Sequence, residues 1–185
     1  MTLTKTPICD FGKKAGDFKL KSIKNHLISL NDIKGDKATL IMFICNHCPH
    51  VKAIIKNLIQ DCYDLKKIGV NSVAIMSNDT KNYPEDSFEN MIKFSKDNQF
   101  IDINYLIDET QEVAKKYGAV CTPDFFGYNK DLELQYRGRY RELKDLNPVR
   151  DEDSDLKTAM KMIAKTQQGP NEQIPSMGCN IKWFN

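Results

Sequence analysis

The chain has 185 residues, which is enough for one well-packed domain, with 41% hydrophobic and 28% charged residues. Its 27 basic and 25 acidic residues are scattered, which argues against a nucleic-acid-binding surface. No uncharged apolar stretch approaches the ~20 residues that span a bilayer, and the first ten residues lack an apolar signal core. We therefore expect a single cytoplasmic domain over residues 1–185, with no membrane or nucleic-acid partner.

The hydrophobic pattern predicts strands and helices that alternate along most of the chain. The predicted elements are a hairpin over 17–30, a buried strand over 37–44, a helix from 51 that closes at Gly69, a strand over 70–76, a helix over 86–98, a strand over 103–107, a helix over 109–117, a hairpin over 125–140, a helix ending near 164 and an irregular tail from about 166. This order predicts an α/β fold with an N-terminal β-hairpin and a central, mostly parallel sheet with helices on both faces.

The segment Cys45-Asn46-His47-Cys48 lies between the buried strand and the long helix. Unpaired backbone N–H groups and the positive end of the helix dipole at such a junction favour a thiolate over a thiol. A second cysteine three residues on is close enough to form a small disulfide. The placement of Cys45 and Cys48 therefore predicts a dithiol that cycles with a disulfide.

His47 adjoins this pair, and a partly protonated imidazole near a sulfur favours the thiolate. A stabilised thiolate makes the reduced form more favourable, so we expect the couple to be more oxidising than that of ordinary thioredoxin. The alternative for His47 is a solvent-facing ring without an electrostatic role.

The element order, the CxxC after the first central strand and Thr122-Pro123 before the second hairpin together resemble the thioredoxin-like superfamily. The closer resemblance is to the peroxiredoxin-like proteins related to alkyl hydroperoxide reductase and thiol-specific antioxidant, the redoxin-domain family. The residues that carry it are Cys45 to Val51, Thr122–Phe126, Tyr136–Arg139, Pro175–Cys179 and Ile181–Trp183.

The resemblance implies a thiol–disulfide oxidoreductase in which Cys45 attacks and Cys48 resolves the mixed disulfide. It also implies a cis Thr122-Pro123 bond, whose backbone would dock an extended substrate as an added strand. The implied partners are protein or small-molecule disulfides or thiols and a thiol reductant not identified by the sequence. No cofactor or metal is expected, and the oligomeric state is left open.

A thiol-dependent peroxidase that reduces hydroperoxides is the main alternative. In true peroxiredoxins a Thr stands three residues before the peroxidatic cysteine, and this chain has Cys45 there if Cys48 is that cysteine. The hydroxyl that positions peroxide is therefore missing. Arg137 and Arg139 are the candidates for the arginine of such a site.

Two further alternatives are a metal site formed by Cys45, His47, Cys48 and His50, and a non-catalytic module. Four ligands within six residues are difficult to arrange around one tetrahedral ion, which disfavours the metal site. Cys179, in the tail, is a possible additional redox thiol or a packed residue. The proton acceptor of the pair is not identified by the sequence, and Asp108 and Glu109 are possible neighbours.

Overall fold

The computed structural model describes residues 2–184. The strands are β1 (Leu3–Lys5), β2 (Lys19–Ser22), β3 (Leu27–Ser29), β4 (Ala38–Phe43), β5 (Val70–Met76), β6 (Asn104–Ile107), β7 (Cys121–Thr122), β8 (Asp124–Asn129), β9 (Leu134–Tyr136), β10 (Leu143–Lys144), β11 (Asn147–Pro148) and β12 (Met177–Asn180). The α-helices are α1 (Leu30–Ile33), α2 (Pro49–Lys66), α3 (Phe88–Asp97), α4 (Glu112–Tyr117) and α5 (Asp155–Thr166).

The main sheet has seven strands in the order β3-β2-β6-β5-β4-β8-β9. Only the β4–β5 and β5–β6 pairs are parallel, and the remaining four pairs are antiparallel. The predicted α/β class and the N-terminal hairpin are confirmed, but the sheet is mixed rather than mostly parallel. The reason is that a hairpin is added at each edge of a short parallel core.

Strand β4 lies at the centre of the protein, and all six of its residues are buried. Because side chains alternate across a strand, Leu40 and Met42 face one apolar core and Ile41 and Phe43 face the other. The first core also contains the apolar faces of α2 and α5, and the second contains the apolar face of α4. This burial on both sides fixes the end of β4, where the cysteine motif begins.

The sequence predicted an irregular tail from about residue 166, but part of this tail is a strand. Residues Met177–Asn180 form β12, which pairs antiparallel with β1 on one side and with β7 on the other. Four residues without clear alternation carry too weak a signal to be recognised as a strand, and both partner strands are more than 50 residues away in the chain. The tail is therefore structured by long-range backbone pairing.

Candidate active site

The cysteine motif occupies the loop between β4 and α2. Cys45 lies two residues beyond the end of β4, and Cys48 is the N-cap of α2, whose first residue is Pro49. Proline fits this position because its missing N–H would have no partner within the helix and its φ is already helical. Cys48, rather than Cys45, is thus the thiol at the tip of the helix.

Three free cysteines meet at this point, because β12 brings Cys179 beside the CxxC pair. The Sγ atoms of Cys48 and Cys179 are 3.0 Å apart. The Sγ of Cys45 lies 3.3 Å from Oγ1 of Thr122, and the Sγ of Cys48 lies 3.2 Å from the Thr122 carbonyl oxygen. All three thiols are buried, with exposed fractions of 1% for Cys45, 0% for Cys48 and 5% for Cys179.

The surroundings of Cys48 favour its thiolate. Its pKa lies well below the ordinary value, first because the Cys45 thiol donates to it and then because the Cys179 thiol and the backbone N–H groups of Val51 and Cys179 do so. Burial opposes this shift, as does the carbonyl of Thr122, which can accept only from the protonated thiol. The net effect is a lowered pKa, so Cys48 ionises more readily than an ordinary cysteine.

The pKa values of the other two thiols of the site shift in the opposite direction. The pKa of Cys45 is raised because it donates to Cys48, because it is buried and because the Asp86 carboxylate is near. Burial, followed by donation to Cys48, raises the pKa of Cys179 to about 12. The directions of these shifts favour ionisation of Cys48 ahead of Cys45 and Cys179.

His47 is held by a buried carboxylate that the sequence reasoning missed. Its Nδ1 lies 2.7 Å from Oδ2 of Asp86, which also accepts from the Asn78 side-chain amide, while Oδ1 accepts from the Asn46 backbone N–H. The hydrogen bond to Asp86 raises the pKa of His47. The ring stacks on Tyr83 with an interplanar angle of 7°. No sequence signal marked Asp86, because it lies in a short 3₁₀ turn 39 residues from His47.

The Thr122-Pro123 bond is cis, as the resemblance implied. The expected docking of substrate on the backbone of Thr122 meets an obstacle, however. That edge is already paired with β12, in a register that places Cys179 opposite Thr122. An external strand would have to displace β12 to bind there.

The other predicted neighbours of the site have structural roles elsewhere. Asp108 caps α4, accepting from the backbone N–H groups of Val113 and Ala114. Arg137 pairs with the buried Asp124 at 3.0 Å, and Arg139 pairs with Asp155 at 2.6 Å.

The alternative metal set of Cys45, His47, Cys48 and His50 is not brought together in the described part of the chain. Within residues 2–184, the group with ligand geometry is Cys45, His47 and Asp86, whose ligand atoms lie within 4.8 Å of one another. Asp86 replaces Cys48 and His50 in this set. Its carboxylate already accepts three hydrogen bonds, from Asn46, His47 and Asn78, so the group is arranged for hydrogen bonding rather than for an ion.

A cavity of about 450 Å³ includes Pro123, Ser176 and Met177 in its lining, and His50 and Arg141 contribute polar groups to its wall. Cys45, Cys48 and Cys179 are not among its lining residues. Across residues 2–184, the helices are too short or too polar to cross a bilayer.

A central mixed sheet flanked by helices, a CxxC at the tip of a helix and a facing cis-proline define a thioredoxin-like redox protein. The sequence profile of the AhpC/TSA family matches residues 11–140, more than half of the chain. The chain belongs to that family, which supports an oxidoreductase role based on thiol chemistry.

Two solved structures are similar over nearly the full length. An uncharacterised conserved protein from Geobacillus kaustophilus is 40% identical, with a TM-score of 0.94 over 100% of this chain and 97% of that one. A hypothetical protein from Sinorhizobium meliloti is 36% identical, with a TM-score of 0.90 over 98% of each chain.

A more distant structure confirms the fold. The thioredoxin domain of a thiol-disulfide oxidoreductase from Bacteroides vulgatus is 18% identical, with a TM-score of 0.58 over 69% of this chain and 86% of that one. A search of curated proteins found no match.

Proposed function

We propose that this protein is a thiol–disulfide oxidoreductase in which Cys45 and Cys48 cycle between dithiol and disulfide. The observation that carries the proposal is the placement of two buried thiols at the start of α2: Cys48 is its N-cap, and both sulfur atoms contact Thr122, which precedes the cis-proline. A poised thiolate beside a second thiol is the arrangement that thiol–disulfide exchange requires.

The reaction begins when the Cys48 thiolate attacks a substrate disulfide. A mixed disulfide forms, and one substrate thiolate leaves. Cys45 then loses its proton and attacks the Cys48 sulfur, which forms the Cys45–Cys48 bond and releases the second substrate thiol. An external thiol reductant restores the dithiol. This proposed order differs from the sequence-based prediction, in which Cys45 attacks first. It is supported by the position of Cys48 as the N-cap of α2 and by the lowered pKa of Cys48 beside the raised pKa of Cys45.

Asp86 and His47 support this step by handling the proton. The His47 ring and the Asp86 carboxylate lie within 4.8 Å of Cys45 Sγ, and the pair forms a short hydrogen bond. When Cys45 turns into a nucleophile, its proton needs an acceptor, and this dyad is close enough to be one. His47 and Asp86 thus take up the proton in the second half of the exchange.

The order of attack is tested by trapping the mixed disulfide. Cys45→Ser and Cys48→Ser proteins are mixed with a dye-labelled disulfide, quenched with acid and mapped by mass spectrometry. We expect the Cys45→Ser variant to retain the label on Cys48 and the Cys48→Ser variant to remain largely unlabelled. Label trapped mainly on Cys45 would restore the predicted order, and no label on either variant would exclude the proposed activity. Cys9→Ser, which changes a half-buried thiol outside the site, is the control.

The potential of the couple supplies a second test. Because the thiolate of the reduced form is stabilised, we expect the Cys45–Cys48 couple to have a more oxidising midpoint potential than ordinary thioredoxin. A glutathione redox titration measures this potential. A midpoint equal to or below the thioredoxin value would remove this part of the proposal.

Peroxide reduction is the second candidate, and burial favours it. With exposed fractions of 1% and 0%, Cys45 and Cys48 are reached more readily by a small oxidant than by a folded protein disulfide. If Cys48 occupies the peroxidatic position of the family, Cys45 stands where the threonine would be. Stopped-flow mixing of the reduced protein with hydrogen peroxide distinguishes the two functions. A fast second-order reaction that is lost in Cys48→Ser would establish a peroxidase.

A further inference from the structure

The C-terminal strand β12 occupies the edge that a substrate strand would use. Its residues pair antiparallel with β7, so that Cys179 stands opposite Thr122 and Asn180 opposite Cys121. The other side of β12 pairs with β1, with Leu3 opposite Cys179. A segment of the chain itself is therefore bound beside the cis-proline, where an extended disulfide substrate would place its cysteine.

The close approach of β12 to β7 depends on Gly178. A Cβ at this residue would lie 2.1 Å from the Thr122 carbonyl oxygen, which is the oxygen that also faces Cys48. The chain is fastened again beyond the strand, since the Lys182 backbone N–H donates to Asn78 and the Lys182 carbonyl accepts from Asp79 and Gln111. These contacts hold Cys179 in place.

The sulfur atoms are positioned for exchange. The distance of 3.0 Å between Cys48 and Cys179 exceeds a disulfide bond of about 2.05 Å by only about 1 Å. Cys121, by contrast, directs its thiol toward the Pro123 carbonyl.

We propose that Cys179 is a third redox thiol that takes the disulfide over from Cys45, so that β12 acts as a built-in substrate strand. This step rests on the proposed function. Cys179 gives up its proton and its sulfur bonds to Cys48; the Cys45–Cys48 bond breaks, and Cys45 leaves as a thiolate that takes up a proton. One disulfide forms and one breaks, so the exchange needs no outside oxidant.

Peptide mapping of the intact protein tests the proposal directly. Trypsin leaves Cys45 and Cys48 together in the peptide 38–52 and Cys179 in the peptide 166–182. A Cys45–Cys48 bond is thus internal to one peptide, whereas a Cys48–Cys179 bond links two peptides. The reduced protein is treated with stoichiometric diamide, quenched with N-ethylmaleimide at increasing times, digested and analysed without reduction.

We expect the internal bond to appear first and the linked peptides to accumulate afterwards. The link should persist in Cys45→Ser, disappear in Cys48→Ser and Cys179→Ser, and be unchanged in Cys9→Ser. An internal bond without any link, or a link that survives in Cys48→Ser, overturns the role of Cys179 and leaves the Cys45–Cys48 couple standing. The absence of any disulfide in these peptides removes the couple itself. Because wild-type protein supplies the main readout, a misfolded variant does not obscure the result.

Discussion

At the scale of single residues, Cys48 differs from the other five cysteines in the direction of its pKa shift. Its pKa is lowered, whereas burial or donation to Cys48 raises the pKa of each of the others: Cys9, Cys45, Cys62, Cys121 and Cys179. A thiolate detected in mildly acidic solution therefore identifies Cys48.

The hydrogen bond from Cys45 is the largest cause of that shift, and a pair of substitutions isolates it. Cys45→Ala removes the donor, so we expect the pKa of Cys48 to rise by about one unit or more. Cys45→Ser retains a hydroxyl donor and should leave it much closer to the wild-type value. The ultraviolet absorption of the thiolate, followed across pH, measures both. Equal pKa values in the two variants would show that Cys45 does not stabilise the thiolate.

The Asp86 carboxylate controls His47. Asp86→Asn removes the largest cause of the raised pKa of His47, whereas burial, which lowers this pKa, remains. The pKa of His47 should therefore fall. The pH titration of the His47 ring protons by NMR measures this fall. Glu85→Gln is the matched control, because this neighbouring carboxylate contributes the least of the causes identified. A His47 titration that is unchanged in Asp86→Asn contradicts the assignment.

The same ion pair has a consequence for stability. The pKa of His47 is raised in the folded state. The stabilisation that protonated His47 gives the fold is therefore fully present below the ordinary histidine pKa of about 6.5, and it is lost as pH rises through the pKa of His47 in the folded protein. Urea denaturation of wild type and Asp86→Asn across this range should show the difference in unfolding free energy shrinking as pH rises.

At the scale of elements, β12 determines how the site is closed. In Gly178→Ala the new Cβ would collide with the Thr122 backbone, so β12 should move away from β7. We expect the Cys48–Cys179 peptide link to decrease strongly after oxidation while the internal Cys45–Cys48 bond still forms.

A matched substitution controls for the loss of a glycine. In Gly16→Ala the nearest atoms are Cδ and Cγ of the Lys116 side chain rather than backbone atoms, and a side chain can change its rotamer. The peptide link should therefore persist in this variant. A link of wild-type strength in Gly178→Ala would show that β12 does not need its observed position for Cys179 to react.

At the scale of the whole molecule, the buried pair of Arg137 and Asp124 joins β8 to the chain that follows β9. The two side chains are 3.0 Å apart, Asp124 is fully buried and the guanidinium also lies over the Phe126 ring. Arg137→Met leaves a buried carboxylate without its partner, which should lower the free energy of unfolding by about 3–5 kcal/mol. Urea denaturation measures the change.

The double variant Arg137→Met/Asp124→Asn distinguishes charge from packing. It removes both charges and should recover a large part of the lost stability, since no buried ion then lacks a partner. A double variant less stable than the single variant would show that Asp124 stabilises the fold mainly through its other contacts, such as the hydrogen bond from the Val120 backbone N–H.

The spacing of apolar residues alone predicted those helices and strands in which that spacing is regular. The hairpin of β2 and β3, the strands β4 and β5 and the helix α2 were predicted within a few residues, because each repeats apolar residues at its own spacing. The pairing directions were harder to predict. The sheet proved mixed because strand order depends on contacts between distant segments.

The cysteine motif and His47 were identified from residue type and local spacing, and the Thr122-Pro123 turn from the resemblance to the family. Asp86 and the partnership of Cys179 with Cys48 were decided only by the tertiary structure. A carboxylate in a short turn and a thiol 131 residues away carry no local signal. Their roles arise when the sheet brings them within hydrogen-bond distance, in a buried place where each added donor or charge shifts the balance between thiol and thiolate.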